Sequence, residues 1–394
     1  MSAQSYVVKR ELTSSPFWRR ASLVPERLDI ELTERCNNAC IHCNINLSAD
    51  DARAKTRELK TIEWKRILRQ AADLGIITVR FTGGEPLLRE DFAELYLFAR
   101  RLGLAVLIFT NGRLITPQLA DLLSRIPPRE ALEISVYGLR PESCEAVTRS
   151  PGAHAEFRRG IALLLERKIP FILKGALLPP NKQEMPELAA WAEAMPGMAG
   201  LPFVAAKFFD LRKRRDTEVK NRQIAGLRVT PEEGLAIITR QPERYCREMA
   251  GFCRKFTGPR GAKLFACGAG HSGCVDAYGR FHACLPLRYP DLAYDLKNGS
   301  IREALKVVLS RVRGMRAANP EYLERCARCF LQGLCEQCPA KSWSEHGALD
   351  RPVEYLCQVA HAQAGHLGLL AAGEKAWKVK DWQARIRRLK EEGA

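Results

Sequence analysis

The 394-residue sequence has no apolar run approaching the roughly 18 residues that a membrane-spanning helix needs. A helical membrane protein is therefore excluded. Its first residues, MSAQSYVVKRELTSSPFWRR, lack an apolar core followed by a small-residue cleavage site. No secretory route is expected, and the cytoplasm is the expected compartment. There is no solenoid repeat and no low-complexity tract. Acidic residues are in deficit, with 45 Asp and Glu against 62 Lys and Arg, a formal net charge of +17. That balance favours an acidic partner without choosing among nucleic acid, an anionic surface and an acidic peptide.

Cysteine, by contrast, is abundant. In a chain of this size with no secretory signal, 14 cysteines point to metal or redox chemistry rather than to disulfides. They are unevenly placed. Three lie at 36, 40 and 43, Cys144 stands alone, and ten fall between 246 and 357.

The front of the chain alternates short apolar runs with helical patterns. Strands are expected at 27–33, 77–84, 104–112, 131–138, 170–178 and 203–211. Helices are expected at 61–75, 90–103, 119–126, 155–168 and 186–195. Alternation of this kind predicts an α/β fold with parallel strands and crossover helices, here a partial (β/α)6 barrel. Sites in such folds lie at the carboxyl ends of the strands. Cys36, Gly83 to Glu85, Asn111, Ser135 and Lys174 all fall in or just after expected strands. The alternation stops near 246. A final segment, 374–390, places Trp377, Trp382, Ile386 and Leu389 near one helical face, which predicts packing against the body of the protein.

Residues 36–43, CNNACIHC, read C-x3-C-x2-C. Three thiolates leave a tetrahedral structural zinc site one ligand short. They suit three irons of a [4Fe–4S] cluster, with the fourth iron open to a small molecule. Zinc with His42 as fourth ligand is the alternative, strained because His42 adjoins Cys43. Residues 83–86, GGEP, follow one βα unit later. Two glycines allow close backbone approach to a ligand, and Glu85 offers an acceptor for an amino group.

With these two motifs the chain resembles the radical S-adenosylmethionine (radical SAM) superfamily over about residues 25–211. The resemblance implies that Cys36, Cys40 and Cys43 hold a [4Fe–4S] cluster. S-adenosylmethionine would chelate the open iron, near Gly83, Gly84 and Glu85, with Asn111 and Ser135 reaching the cofactor. It also implies reductive cleavage to a 5′-deoxyadenosyl radical that abstracts hydrogen from a substrate. An electron donor such as a flavodoxin or ferredoxin is then needed.

The rear cysteines include Cys326, Cys329, Cys335 and Cys338, spaced C-x2-C-x5-C-x2-C, which alone also suits a closed zinc site. Together with Cys267, Gly279, Cys284 and a distant Cys357, the arrangement resembles the SPASM extension of radical SAM enzymes. That resemblance implies two auxiliary [4Fe–4S] clusters. One would be held by Cys267, Cys274, Cys284 and Cys338, and the other by Cys326, Cys329, Cys335 and Cys357. Most members space the last pair of the quartet as C-x3-C, and the C-x2-C here leaves the division of Cys335 and Cys338 open. GAGHSG at 268–273 matches a dinucleotide-binding loop, but VDAYGRFHAC after Cys274 reads as a hairpin turning at Gly279, where such a loop would open a helix.

The expected division is an arm at 1–24, a barrel at 25–245, a SPASM domain at 246–362 and a helical segment at 363–394. No side chain beyond the cluster loop is singled out as catalytic. Cys144, Cys246 and Cys253 are left over as small apolar residues, with Cys246 and Cys253 as hydrogen-donor candidates. SPASM enzymes mostly act on peptides or proteins, so a ribosomally made peptide is the expected substrate, crosslinked, epimerised or oxidised. About 25 residues precede the first strand, too few for an independent leader-binding domain. A separate leader-binding protein, or the basic stretch 207–222, would take that role. The same chemistry on a small molecule or tetrapyrrole is the alternative. A zinc-stabilised nucleic-acid-binding protein is the alternative of another class, although nucleic acid is not the expected partner.

Overall fold

The computed structural model describes residues 24–43, 47–128, 131–201, 203–206, 218–240, 242–265 and 272–392. Six strands arise where the apolar runs stand: β1 (Arg27–Thr33), β2 (Thr78–Gly83), β3 (Ala105–Thr110), β4 (Leu132–Ser135), β5 (Phe171–Ala176) and β6 (Val204–Ala206). Each pairs in parallel with the next, in sequence order, with helices in the crossovers. This is the expected partial barrel. β1 is buried on both faces, as a parallel strand covered by helices should be. Its two inward carboxylates are neutralised in place. Asp29 accepts from Arg80 at 2.6 Å, and Glu31 accepts from Arg288 at 2.8 Å.

The rear of the chain does not stand apart from this sheet. β7 (Ser272–Val275) pairs in parallel with β1, placing Cys274 opposite Asp29. β8 (Arg280–His282) returns antiparallel to β7, and β9 (Ala293–Asp295) follows antiparallel to β8. The result is one nine-stranded sheet in the order β9-β8-β7-β1-β2-β3-β4-β5-β6. The expected hairpin is present, with Gly279 at its turn (φ +86°). Residues 266–271, including Cys267 and most of the glycine-rich stretch, lie outside the described residues. Its last glycine, Gly273, lies in β7, where a Cβ would come within 2.6 Å of the Phe281 ring and 3.2 Å of Leu28. The glycine there serves strand packing, and strand rather than helix follows it.

A large core spans the barrel and the hairpin, with Trp64, Phe81, Tyr96, Phe171 and Phe281 almost fully buried. A second, smaller core gathers Cys253, Phe330, Leu331, Leu367 and Leu369. The C-terminal helix is shorter than expected, running Trp382–Glu392 only. Trp382 stacks on Phe330 at 6.0 Å, and Ile386 and Leu389 join the second core. Trp377 leaves that face because its ring is held by Arg325, 4.8 Å from the centroid, and by His361 at 5.5 Å. Among the described residues no helix is long and apolar enough to cross a membrane. Of the basic stretch 207–222, residues 207–217 lie outside the described residues, and Glu218–Gly226 is a helix.

Candidate active site

The three cysteines of the first cluster sit on a loop that leaves β1 and is tied down on both sides. Ala39 N–H donates to the Thr148 carbonyl at 2.8 Å and Ile41 N–H to the Val147 carbonyl at 3.0 Å, so the end of helix Pro141–Thr148 anchors it. Arg113 Nη1 and Ser150 Oγ both donate to the Asn37 carbonyl. On the other side, Gly84 N–H donates to Thr33 O at 2.7 Å and Glu85 N–H to Arg35 O at 2.9 Å.

This contact gives the two glycines a structural role. A Cβ on Gly83 would lie 2.1 Å from Thr33 O, and one on Gly84 2.1 Å from Arg35 O. The glycines let the end of β2 lie against the backbone that leads into Cys36. Glu85 also has a structural role. Its carboxylate is buried and already accepts three bonds: Thr110 Oγ1 at 2.8 Å, Asn111 N–H at 2.8 Å and Leu87 N–H at 3.0 Å. It joins the end of β2 to the end of β3. Burial pushes its pKa up to about 7, against the pull of these donors.

Cys36, Cys40, Cys43, Gly83, Gly84, Glu85, Asn111, Ser135 and Lys174 all line one cavity of about 470 Å³ at the carboxyl ends of the strands. The sequence reading therefore brought its barrel residues to one place. Asn111 Nδ2 donates to Asn37 Oδ1 at 2.7 Å and lies 3.8 Å from Cys36 Sγ. Lys174 pairs with Glu133 at 2.5 Å on the wall. Tyr137, Phe109, Ile224 and Leu285 complete an apolar side, and Glu31 a polar one. Tyr137 was missed: it stands two residues past Ser135, with its ring 5.2 Å from His42. Period-2 alternation from Ser135 would have pointed to it.

None of the described cysteines is in a disulfide. Burial pushes the Cys36 thiol up to about 12, helped by Glu85, and pushes Cys40 well up, helped by Cys43 and Cys36. The three sulfurs thus share one electrostatic neighbourhood, and a metal must displace their protons to bind. Among the described residues no three His, Cys, Asp or Glu side chains converge on a single ion. The donor set is three soft thiols spread along one wall, beside a cavity in the size range of small-molecule sites. That fits an iron–sulfur cluster with a nucleoside-sized ligand better than one zinc ion with His42.

Of the rear cysteines, Cys326, Cys329, Cys335 and Cys357 line a second cavity with Arg325, Gln332 and Trp377. Cys338 does not line it. Cys284, Cys326 and Cys338 pack against the large core, whereas Cys329 and Cys335 pack against the smaller one. Cys274 is fully buried, with its Sγ 3.7 Å from Arg288 Nη2. Cys267 lies outside the described residues. Cys144 is buried in helix Pro141–Thr148. Cys246 and Cys253 share helix Pro242–Phe256 and belong to the smaller core, not to the barrel cavity. As hydrogen donors at that cavity they are misplaced, because their helix packs on the cysteine-rich region.

Comparison with known proteins agrees with this geometry. Residues 30–192 match the model of the radical SAM superfamily. The PqqA peptide cyclase of Xanthomonas campestris pv. campestris is 28% identical over 260 residues, 62% of this chain and 68% of that protein. The AdoMet-dependent heme synthase of Methanosarcina barkeri is 30% identical over 175 residues, 44% of this chain and 49% of that protein. In fold, the chain resembles anSMEcpe with bound AdoMet (TM-score 0.62, 15% identity, 92% of this chain and 98% of the other). It also resembles Streptococcus suis SuiB bound to S-adenosylmethionine (TM-score 0.57, 17% identity, 85% and 77%). The stretch that matches the radical SAM superfamily model, residues 30–192, thus carries the three cysteines and the strand ends that line the cavity.

Proposed function

We propose that the chain is a peptide-modifying radical SAM enzyme with a SPASM-type cysteine-rich region. The observation that carries this reading is the likeness to a PqqA peptide cyclase over 260 residues, well beyond the 163 residues from 30 to 192 matched by the superfamily model. The likeness to the heme synthase is confined to 175 residues and leaves tetrapyrrole chemistry as the second reading.

Cys36, Cys40 and Cys43 would hold the cluster at the barrel cavity. When bound, the cluster and S-adenosylmethionine supply one-electron cleavage and a hydrogen-abstracting radical. The remaining work falls to the chain's own side chains. Gly83, Gly84 and Glu85 fix the strand ends around the cysteine loop. Asn111 orients the loop through Asn37 and presents its amide to Cys36. Phe109, Tyr137, Ile224 and Leu285 exclude water from the side where a radical would stand. Ser135 is held by its hydrogen bond to Tyr137 and lines the same wall.

In the cysteine-rich region, Cys326, Cys329, Cys335 and Cys357 would hold one auxiliary cluster. Cys267, Cys274, Cys284 and Cys338 would hold the other. The lining of one cavity by Cys326, Cys329, Cys335 and Cys357, without Cys338, supports that division. We place the barrel at 25–245, the SPASM region at 246–362, and flanking segments at 1–24 and 363–394. An electron donor of the flavodoxin or ferredoxin type and a separate leader-binding protein complete the proposed system, with the cytoplasm as its compartment.

The test is anaerobic reconstitution followed by reduction with S-adenosylmethionine and the short peptides encoded beside the gene. The reading expects 5′-deoxyadenosine and a peptide of altered mass. Turnover with tetrapyrroles and not with peptides would overturn it in favour of the second reading. Stoichiometric zinc without a reducible iron–sulfur signal would remove both.

A further inference from the structure

Four sulfurs face the cavity bounded by Arg325 and Trp377, but they are not equivalently surrounded. Cys329 and Cys335 receive backbone N–H groups, from Leu331 and Gln337. Cys357 receives side chains. Arg325 Nη2 lies 3.6 Å from its Sγ, and His361 Nδ1 lies 3.6 Å from the same atom. The histidine's tautomer is set by its other nitrogen. Nε2 accepts the Ala376 N–H at 3.3 Å, so the ring proton stands on Nδ1, shared between Cys357 Sγ and the Cys357 carbonyl at 2.8 Å.

Both donors are held in place. Trp377 stacks under Arg325 at 4.8 Å and meets His361 edge-on at 5.5 Å. Arg325 is further tethered to Glu321 at 2.6 Å and Glu354 at 2.7 Å. Those carboxylates are 49% and 60% exposed while the arginine side chain is 18% exposed. Water therefore screens them more than it screens the guanidinium, whose N–H faces the sulfur at 3.6 Å. One-electron reduction adds negative charge to a thiolate-bound cluster. A cation and an N–H aimed at one ligand sulfur stabilise the reduced form more than the oxidised one.

We propose that Arg325 and His361 are positioning residues that raise the reduction potential of the cluster held by Cys326, Cys329, Cys335 and Cys357. The proposal rests on the reading above that these four thiolates hold a cluster. Neither residue is a ligand. Each acts through Cys357.

The test uses the reconstituted full-length holoenzyme, with iron counted and the clusters followed by EPR during a redox titration. Arg325→Gln and His361→Phe should each move one cluster midpoint to a more negative potential, leaving the other two in place and the iron content unchanged. Arg325→Lys should restore most of the Arg325→Gln shift, because it keeps the charge. Midpoints unchanged in both Arg325→Gln and His361→Phe with iron retained would overturn the proposal. Loss of the iron from both variants would overturn it too, because the residues would then be structural. Cys357→Ala separates this inference from the ligand assignment. If it removes one cluster while the other variants shift nothing, only the inference fails. If it removes none, the assignment fails as well.

Discussion

The Glu85 carboxylate accepts the backbone N–H of Asn111 at 2.8 Å, so the end of β2 and the end of β3 are joined by one side chain. Its other oxygen takes Thr110 and Leu87. All three partners are donors. Glu85→Gln places an amide NH2 against at least one of them, whichever way the amide turns. A buried donor facing a donor costs about 1–3 kcal/mol. The expected outcome is a lower denaturation midpoint in the metal-free protein and weaker retention of the barrel cluster. Denaturant titration and iron counting measure the two. Unchanged stability would show that the site reorganises around the amide.

Gly84 is more restrictive. A methyl there meets Arg35 O at 2.1 Å, Arg35 C at 2.7 Å and Glu34 C at 2.9 Å, all backbone atoms that cannot rotate away. Gly84→Ala should therefore displace the strand end or the chain leading into Cys36, at a cost of at least about 2 kcal/mol. It should also lose iron from the barrel site while the rear sites keep theirs. Gly226→Ala, where nothing stands within 4 Å of the new methyl, is the matched control and should leave the iron unaffected.

The barrel cluster should be separable from the other two. The proposed ligand sets predict about twelve irons per reconstituted chain, from three four-iron clusters. Replacing Cys36, Cys40 and Cys43 together by Ala should remove about a third of that iron and abolish S-adenosylmethionine cleavage. The remaining iron should stay EPR-active. Iron analysis beside a 5′-deoxyadenosine assay decides it. Loss of all the iron would mean that the three sites assemble as one unit.

Much of this site was legible because its parts are local. Cys36, Cys40 and Cys43 lie within eight residues, and Gly83 to Glu85 end a strand whose apolar run announces it. What was hidden is long-range. β7 joins β1 some 245 residues away, and no periodicity within either strand foretells that partner. Arg288 reaches Glu31 across 257 residues. Arg325 and His361 read as ordinary surface residues until Cys357 is placed between them. The C-terminal helix failed for a related reason: the helical pattern of 374–390 is real, but Trp377 has more to gain from Arg325 and His361 than from the helix face. For Glu85, sequence placed the residue at the strand end but did not foretell Thr110 and Asn111 as donors, because they come from the next strand.

The spacing of Cys335 and Cys338 could not assign them, but their surroundings differ. Cys335 lines the cavity with Cys326, Cys329 and Cys357, and its Sγ lies 3.7 Å from the Leu356 carbonyl. Cys338 precedes helix Pro339–His346 and is not part of that cavity's lining. Cys335→Ala and Cys338→Ala should therefore each remove about four irons, but from different sites. The EPR signal that responds to Arg325→Gln should vanish in Cys335→Ala and persist in Cys338→Ala. If the two substitutions abolish the same signal, the two cysteines serve one cluster and the division fails.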